Sequence, residues 1–360
     1  MSKSTPYIPI NKGHFYNLDS LERKEKLEEI LAEGWEDEYK EYRSLWNSLP
    51  KKKIIRDYPL LLDLELSSKC NLHCPMCYTI TDEFLDKVDR KYMDFELFKK
   101  IINEIAGKVF AIRLSLRGES TLNRYFIDCI KYAKDKGIKE VSTLTHGKKL
   151  TGEFLRKTIE AGIDWITISI DGVGETYNKI RFPLKWEDTL GRLKEIKKLK
   201  DELGLKKPVI KVQGIWPAIR ENPSEYYNSI APYSDFIAYN PLIDYLRNDS
   251  EILYEENFSC SQLYQRLVIG SDGRAMMCSN DEDTSHVIGD ANKESISQIW
   301  HGDKLNKVRE IHKLKDGFKD IKVCTACYYP RKTEVDEESS VNNRKIYIEN
   351  YVNRSQLVGT

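Results

Sequence analysis

Alternation between short apolar runs and helical segments is the feature that most constrains the fold of this chain. Between about residues 60 and 245, six apolar runs have the length and composition of buried strands: LLLDLEL, VFAIRLSL, EVSTLT, WITISI, VIKVQGIW and DFIAYNPL. Helical segments lie between them, and several end at glycine. Such alternation indicates right-handed parallel crossovers. Since six units are too few for a closed eight-fold barrel, we predict an α/β fold with a partial, open (βα)6 TIM-like barrel, whose chemistry gathers at the carboxyl ends of the strands.

The rest of the chain divides where this pattern changes. Residues 1–57 are charged, with apolar residues at three- and four-residue steps, and are predicted to form an N-terminal helical extension packed on the main domain; a partner-binding or substrate-covering role is the alternative. The barrel is predicted over 58–250 and a smaller domain over 251–335, where LVIGSDGRAMMC indicates a hairpin that turns at SDG. Residues 336–360 are polar and are predicted to be an exposed or mobile tail.

Charge and hydropathy exclude several functional classes. Lys plus Arg equals Asp plus Glu at 57 each, so the chain lacks the basic excess of a dedicated nucleic-acid binder. No apolar stretch approaches the roughly 20 residues that cross a bilayer, and the first residues lack the apolar core of a secretory signal. We therefore expect a cytoplasmic protein that binds neither nucleic acid nor membrane and keeps its cysteines reduced.

Three cysteines follow the first predicted strand in a tight loop. Cys70, Cys74 and Cys77 have the spacing Cys-x3-Cys-x2-Cys. Three thiolates on such a loop indicate a compact, soft metal centre. A 4Fe–4S cluster takes four ligands, so three thiolates leave one iron open to a small molecule. A zinc site completed by His73 is the alternative, although three cysteines are unlike the closed ligand sets of structural zinc.

A second group of cysteines lies in the predicted C-terminal domain. Cys260, Cys278, Cys324 and Cys327 supply four thiolates, which is a complete ligand set. Spacing alone leaves both a structural zinc site and an iron–sulfur cluster open. Cys129 belongs to neither group and is predicted to be a core thiol on a helix; the alternative is the hydrogen donor that a radical epimerase requires.

The first cysteine group, with Tyr78 beside its last cysteine, resembles the signature of the radical S-adenosylmethionine (SAM) enzymes over residues 60–245. RGESTL, LTHG and SIDG stand at predicted strand ends, as the family's Gly-Glu-Pro, Thr-Asn-Gly and polar strand-end stretches do, with Ser120 and His146 as departures. The resemblance implies a radical SAM barrel whose 4Fe–4S cluster binds SAM. The SAM contacts that it implies are Tyr78, Gly118, Glu119, Ser120, Thr145, Ser169 and Asp171.

Residues 260–330 resemble the SPASM/twitch extension of these enzymes and are similar in pattern to twitch-type 2-deoxy-scyllo-inosamine dehydrogenases. The later cysteines of a full SPASM domain are missing after Cys327, so the resemblance implies one auxiliary 4Fe–4S cluster on the second group and two clusters in all. It also implies an oxidoreductase that removes hydrogen from a secondary alcohol of a sugar or cyclitol-like substrate. A flavodoxin or ferredoxin-type protein is the expected electron donor.

Three residues are candidates for handling the substrate or its hydroxyl proton. Arg181 follows the fourth predicted strand and could equally bind the SAM carboxylate or form a surface ion pair, whereas His146 and Tyr239 lie at strand ends. The histidines expected to be solvated are His286, His301 and His312. Alternative functions are a maturase that modifies a ribosomally made peptide, a radical epimerase and a non-catalytic zinc-binding scaffold. The extension lacks the strand pattern of a leader-peptide-binding module, which counts against the maturase.

Overall fold

A computed structural model describes residues 16–240 and 252–352. Its strands are β1 (Tyr16–Asn17), β2 (Leu61–Leu64), β3 (Ala111–Arg113), β4 (Glu140–Thr145), β5 (Trp165–Ser169), β6 (Val209–Ile215), β7 (Phe236–Asn240), β8 (Arg266–Ile269), β9 (Arg274–Met276), β10 (Val287–Asp290), β11 (Thr333–Val341) and β12 (Arg344–Tyr351). Its helices are α1 (Leu21–Ala32), α2 (Glu36–Lys52), α3 (Asp82–Lys87), α4 (Phe95–Ile105), α5 (Phe126–Asp135), α6 (Gly152–Glu160), α7 (Gly174–Ile180), α8 (Trp186–Glu202), α9 (Trp216–Ile219), α10 (Pro223–Ile230), α11 (Gln262–Gln265), α12 (Ile296–Trp300), α13 (Asp303–Ile311) and α14 (Lys322–Ala326). No helix within these ranges is long and apolar enough to cross a membrane.

One mixed sheet contains ten of these strands, in the order β1-β7-β6-β5-β4-β3-β2-β8-β9-β10. Strands β2 to β7 are parallel neighbours in chain order and correspond to the six predicted runs. Helices connect each of these strands to the next, and the edge strands β1 and β10 do not pair with each other. The prediction of a partial, open (βα)6 barrel is therefore confirmed.

The two faces of the parallel sheet differ in polarity. On β5, Ile166 and Ile168 are buried, while Thr167 and Ser169 alternate with them on the opposite face. Thr167 and Ser169 pair with Lys211 and Gln213 of β6, so that face carries polar side chains across neighbouring strands. The interior of a filled barrel is instead dominated by branched apolar residues. The polar face therefore suits a lumen that receives a polar ligand.

Within its described residues, the N-terminal extension contains the short strand β1 and two helices, instead of the one continuous helical pattern that its sequence predicted. The break falls at Gly34, whose φ of +87° lies in the left-handed region that favours glycine. The ring of Trp35 contacts the ring of Tyr42 on α2, with centroids 6.1 Å apart. Tyr42 in turn packs against Phe110, just before β3, at 5.3 Å. These aromatic contacts place the extension against the amino-terminal end of the barrel strands.

The C-terminal part continues the main sheet and adds a hairpin. Strands β8 and β9 form the predicted hairpin, which turns at Gly273 with a φ of +89°. The described part of the predicted tail over 336–360 lies in a hairpin that β11 and β12 form. Asn342 and Asn343 both have positive φ at its two-residue turn, as a type I′ turn requires. The predicted division at 250/251 lies outside the described residues.

Candidate functional site

The first cysteine group lies in the loop that follows β2. Cys74 is buried, and its carbonyl oxygen accepts a hydrogen bond of 2.9 Å from the Cys77 N–H. Burial raises the pKa of Cys70 to about 12 and that of Cys74 to about 11, and the neighbouring thiols act in the same direction. The Cys70 and Cys74 thiols are thus protonated near neutral pH, and binding of an iron–sulfur cluster would release these protons.

A glycine brings the predicted SAM-binding loop directly against the cysteine loop. A Cβ atom added to Gly118 would lie 2.5 Å from the carbonyl oxygens of Ser67 and Lys69. The next residue, Glu119, donates its N–H to the Lys69 carbonyl at 2.8 Å. Because only glycine permits such a close backbone approach, the RGES segment fixes the start of the cysteine loop.

The Glu119 carboxylate joins the ends of two strands. Its Oε1 accepts hydrogen bonds of 2.6 Å from the hydroxyl groups of Thr121 and Thr145, and its Oε2 accepts the His146 N–H at 3.0 Å. Glu119 is only 2% exposed. The predicted contacts Glu119 and Thr145 are therefore brought together, and the carboxylate is held in one orientation beside the cysteine loop.

The remaining predicted SAM contacts occupy neighbouring strand ends. Ser120 stands where relatives have proline, and its hydroxyl hydrogen-bonds to that of Thr143 at 2.8 Å. Ser169 is the last residue of β5 and is nearly buried. Tyr78 begins a short 3-10 turn after the last cysteine, and its ring contacts Phe84 edge-on at 5.8 Å. No hydrogen bond to the cysteine loop is observed for Ser120 among the described residues.

Arg181 connects the end of β5 to a cysteine. Its Nε and Nη2 lie 2.5 Å from Oδ2 of Asp171, and its Nη1 donates to the Cys74 Sγ at 3.6 Å. Asp171 is fully buried, and its carboxylate raises the pKa of Arg181 above the ordinary value, so the guanidinium stays charged. Arg181 therefore belongs to a buried ion pair at the first cysteine group and not to a surface ion pair.

The other two catalytic candidates occupy different places. His146 is buried; its Nδ1 accepts the Lys148 N–H at 3.1 Å, so its Nε2 carries the proton and donates to Oδ1 of Asn71, 2.8 Å away inside the cysteine loop. Tyr239 instead packs on Trp216 with centroids 5.0 Å apart. Burial raises the pKa of Tyr239, and Glu337 of the C-terminal hairpin adds to this. The structure thus brings Arg181 and His146 together at the cysteine loop, but not Tyr239.

Lys211 is a lumen residue that the sequence interpretation missed. Its Nζ lies 5.8 Å from the ring centroid of Trp165 and 5.9 Å from that of Phe236, and both are neighbours on the polar face of the sheet. Burial lowers the pKa of Lys211 to about 7, with a further contribution from Arg113. The available signal for Lys211 was that a lysine lies within the otherwise mostly apolar strand VIKVQGIW.

The second cysteine group surrounds a single cavity. Cys260, Cys278, Cys324 and Cys327 all line it, although they come from segments up to 67 positions apart in the chain. Within residues 16–240 and 252–352, no three Cys, His, Asp or Glu side chains lie close enough to hold one metal ion. The four thiols around this cavity form a complete ligand set for one 4Fe–4S cluster.

A buried histidine holds two of these cysteines. The prediction that His312 is solvated is wrong, since it is 2% exposed. Its Nδ1 accepts the Cys260 N–H at 3.3 Å, so Nε2 carries the proton and donates to the Cys324 Sγ at 3.4 Å. Burial lowers the pKa of His312 to about 4, which keeps the ring neutral.

Replacing His312 with Phe is expected to lower the midpoint potential of a cluster bound by the second group. A hydrogen bond to a ligand sulfur withdraws electron density and favours the reduced cluster. The His312→Gln variant keeps a donor and should remain closer to the wild-type potential. Redox titration followed by electron paramagnetic resonance (EPR) measures this, with iron content as the control. Equal midpoint potentials in the wild type, the His312→Phe variant and the His312→Gln variant would contradict the role of His312 as a hydrogen-bond donor to a cluster ligand.

Residues near the second cysteine group contact residues of the barrel. Arg117 forms a two-pronged ion pair with Glu65 after β2, and its Nη1 donates to the Glu282 carbonyl at 2.9 Å and to the Thr284 hydroxyl at 2.7 Å. Tyr328, next to Cys327, lies within electrostatic range of Arg113 at the end of β3. The segment between Cys278 and Thr284 is therefore joined to the barrel through Arg117.

Comparisons with known proteins agree with this geometry. The family model of the radical SAM superfamily matches residues 64–207, and that of an iron–sulfur cluster-binding domain, SPASM, matches residues 260–328. The crystal structure of BtrN in complex with AdoMet and 2-DOIA has the same fold, with a TM-score of 0.54, 17% identity, and coverage of 76% of this chain and 94% of that one.

Curated relatives are similar over shorter stretches. A tungsten-containing aldehyde ferredoxin oxidoreductase cofactor-modifying protein of Pyrococcus furiosus is 31% identical over 42% of each chain. The PqqA peptide cyclase of Bradyrhizobium diazoefficiens is 31% identical over 32% of this chain and 30% of its own. These matches span less than half the length of either relative. With one family model on the barrel and another on the second cysteine group, the chain belongs to the radical SAM superfamily and carries a C-terminal SPASM domain.

Proposed function

We propose that the protein is a radical SAM dehydrogenase that oxidises a secondary alcohol of a sugar or cyclitol-like small molecule. The observation that supports this most is the cavity lined by all four cysteines of the second group. The chain has eight cysteines, and only Cys129 lies outside the two groups, so cysteine ligation provides for one auxiliary cluster with every iron occupied. A cluster without an open iron suits electron acceptance and not substrate binding.

In this proposal, Cys70, Cys74 and Cys77 hold the SAM-binding 4Fe–4S cluster, and the second group holds an auxiliary 4Fe–4S cluster. When bound, the first cluster supplies the electron that divides SAM into methionine and a 5′-deoxyadenosyl radical. The protein contributes the three thiols on a loop fixed by Gly118, and the Arg181 guanidinium at Cys74. That charge balances the thiolate in a buried setting.

The polar strand ends would hold SAM. Glu119 is oriented by Thr121, Thr145 and the His146 N–H, and we propose that it accepts a hydrogen bond from the SAM amino group. Gly118 and Ser120 flank it in the chain, and Tyr78 directly follows Cys77, the last cysteine of the first group. Ser169 and Asp171 at the end of β5 are proposed to face the ribose and the carboxylate. Such fixed donors and acceptors orient the nucleotide before it reacts.

Roles for the substrate-handling candidates follow from their protonation. Arg181 stays charged and therefore orients its neighbours without accepting a proton. Both ring nitrogens of His146 are engaged, so His146 is proposed to position the cysteine loop through Asn71. Tyr239 lies against Trp216, and we propose no catalytic role for it. Lys211, on the lumen face, is the proposed acceptor of the hydroxyl proton.

Ketone formation should rise with pH through about 7, because Lys211 accepts a proton only in its neutral form and its pKa is lowered to about 7. The Lys211→Gln variant should lose about a hundredfold in rate and lose this rise. Initial rates between pH 6 and 9 at saturating SAM measure the effect. An unchanged pH profile in the variant would exclude Lys211 as the proton acceptor.

The two alternative activities, epimerisation and peptide modification, would require different features of the site. An epimerase needs a hydrogen donor beside the substrate radical, but Cys129 is 1% exposed within the apolar face of α5. Peptide modification remains the second candidate because a relative is named as a peptide cyclase. The polar lumen, with Thr167 and Gln213 among its side chains, favours a hydroxylated small molecule.

A substrate panel tests the proposal. Anoxically reconstituted protein is incubated with SAM, dithionite, and either cyclitols, aminocyclitols and sugars or short peptides, and with alcohols deuterated at the carbinol carbon. We expect an alcohol to lose two hydrogens and to transfer deuterium into 5′-deoxyadenosine. Flavodoxin or ferredoxin then replaces dithionite as the donor. Turnover of peptides alone would contradict the small-molecule assignment, and an inverted alcohol would indicate an epimerase.

A further inference from the structure

Charged side chains of three neighbouring strands meet on the lumen face of the sheet. Asp63 of β2 is in register with Arg113 of β3, and Arg266 of β8 is in register with the residue two positions before Asp63. Residues in register on parallel strands, and residues two positions apart on one strand, point to the same face. By the same register these side chains share the face of Thr167 and Lys211. We call Asp63, Arg113 and Arg266 the arginine cluster.

One carboxylate serves both arginines of this cluster. Oδ1 of Asp63 lies 2.8 Å from Nε of Arg113, and Oδ2 lies 3.2 Å from Nη1 of Arg266. Asp63 is fully buried. The contact with Arg113 is close but is not aligned as a hydrogen bond, because both atoms are buried without a hydrogen-bond partner among the described residues. The cluster therefore contains one more positive charge than negative charge.

Glu140 is the other acid at a lumen-face position of strands β2 to β8, but it does not balance this charge. It is the first residue of β4 and is in register with Ala111, two positions before Arg113. Burial raises the pKa of Glu140 to about 7. The cations that act on its carboxylate are Arg43 of α2, Lys207 before β6 and Lys134 of α5. Glu140 therefore belongs to the amino-terminal end of the barrel.

Arg113 presents the unbalanced charge to the lumen. Its side chain is 32% exposed, whereas that of Arg266 is 17% exposed and lies over the ring of Trp46, with its guanidinium carbon 5.3 Å from the ring centroid. Within the described residues, no contact of the two terminal nitrogens of Arg113 is observed. Burial lowers the pKa of Arg113 below its ordinary value although Asp63 acts in the opposite direction. A second anion at these nitrogens would stabilise the buried charge.

A ring-sized molecule fits between Arg113 and Lys211. The strands β4 and β5 separate β3 from β6, so the two backbones are three strand spacings apart, or about 14 Å along the sheet. Both long side chains extend from this face, and the small polar residues Ser142 and Thr167 occupy it between them. A molecule held at one end by Arg113 can therefore present another of its carbon atoms to Lys211.

We propose that the substrate carries an anionic group, a carboxylate or a phosphate, and that the terminal nitrogens of Arg113 bind two of its oxygen atoms. This rests on the proposed function and narrows its substrate to acids or phosphates of sugars and cyclitols. A planar guanidinium matches two oxygens of either group, which a lysine ammonium does not. Arg113 would hold the end of the substrate that does not react, and Lys211 keeps its proposed role at the hydroxyl group that is oxidised.

A neutral analogue should be rejected for the same physical reason. It would leave the Arg113 charge buried in the filled lumen without a partner, and a site built to pair a polar group discriminates strongly against ligands that lack it. The structure thus assigns Arg113 as a specificity-determining residue, and the charge of the substrate becomes a measurable property.

Binding of matched charged and neutral probes tests the proposal without turnover. Holoprotein with both clusters and SAM, but no reductant, is titrated calorimetrically with D-glucuronate and D-glucose, and with an inositol monophosphate and myo-inositol. At least one anionic probe should bind at least about tenfold more tightly than its neutral parent. A preference confined to one pair identifies the group as a carboxylate or a phosphate. Equal affinity within both pairs, or no binding of either anion, would overturn the proposal.

Variants of Arg113 locate the preference. In Arg113→Gln the Kd of the anionic probe should rise at least about tenfold, while that of its neutral parent stays within about twofold. Arg113→Lys keeps the charge beside Asp63 but loses the second nitrogen, so its Kd should be intermediate. The matched control Arg156→Gln removes the same charge from the exposed surface of α6 and should bind as wild type does.

Iron content and dithionite-driven formation of 5′-deoxyadenosine should be unchanged in all three variants, which shows that the clusters and the SAM site are intact. Wild-type anion binding by both Arg113 variants, or an equal loss in the Arg156 control, would overturn the assignment. If Arg113→Gln loses its clusters, Arg113→Lys decides in the same way, because wild-type affinity without the two-nitrogen fork would exclude direct binding by Arg113.

Ketone formation distinguishes this inference from the proposed function. Oxidation of the neutral probes alone would overturn the anionic substrate and leave the dehydrogenase standing. Anion binding that depends on Arg113, with neither ketone nor deuterium transfer from any alcohol, would support the Arg113 site and count against the proposed function.

Discussion

Replacing Cys70, Cys74 and Cys77 with Ala should reduce SAM-dependent formation of 5′-deoxyadenosine by more than about a thousandfold. The three thiols are the first group's complete set of proposed cluster ligands, and the neighbouring Arg181 and Glu119 have no redox chemistry of their own. Without the cluster, none of the barrel residues that the structure describes can deliver an electron to the sulfonium of SAM. The product is quantified by liquid chromatography after anoxic incubation with dithionite.

The Cys129→Ala variant is the matched control for this loss. Cys129 is equally a free thiol, but it is buried within α5 and away from both cysteine groups. The Cys129→Ala variant should retain wild-type SAM cleavage and the full iron content. Substantial 5′-deoxyadenosine formation by the triple variant, or its loss in the Cys129 variant, would contradict the assignment of the first group.

Replacing Cys324 and Cys327 with Ala should separate SAM cleavage from ketone formation. These residues provide half of the ligands around the second cavity, and Cys324 also receives the His312 hydrogen bond. The substrate radical would then lack its electron acceptor. Ketone yield should fall at least about a hundredfold, while 5′-deoxyadenosine formation should remain within severalfold of wild type.

Iron analysis makes this experiment specific. The double variant should lose about four irons per chain and keep the cluster of the first group. Because the radical is still generated, deuterium from a labelled alcohol should still reach 5′-deoxyadenosine. An undiminished yield of ketone after loss of the auxiliary iron would refute the electron-acceptor role of the second group.

Local patterns were sufficient to predict the barrel and the convergence of its strand ends. The run EVSTLT coincides with β4. Such a strand can be recognised because a buried parallel strand appears in the sequence as an apolar run with clear ends. The contact between Glu119 and Thr145 could be anticipated, since Glu119 follows β3, Thr145 ends β4, and the carboxyl ends of these parallel neighbours share one edge. The hairpin of β11 and β12 was missed, although its Asn342–Asn343 turn lies between alternating residues.

Long-range tertiary contacts could not be predicted in the same way. His312 lies 52 positions from Cys260 and 12 from Cys324, and no local pattern specifies that it reaches both. A partial signal existed, because Leu305, Val308 and His312 share one helical face at three- and four-residue steps. The Asp171–Arg181 ion pair likewise depends on how α7 packs against the cysteine loop.

The EPR spectrum of the reduced protein with and without SAM tests the central claim most directly. We predict signals from two 4Fe–4S clusters, only one of which changes when SAM is added, because only the three-cysteine site leaves an iron open. The changing signal should be absent from the Cys70, Cys74 and Cys77 variant. Reduced protein without any cluster signal, or with two signals that both ignore SAM, would contradict the assignment of one open and one closed cluster.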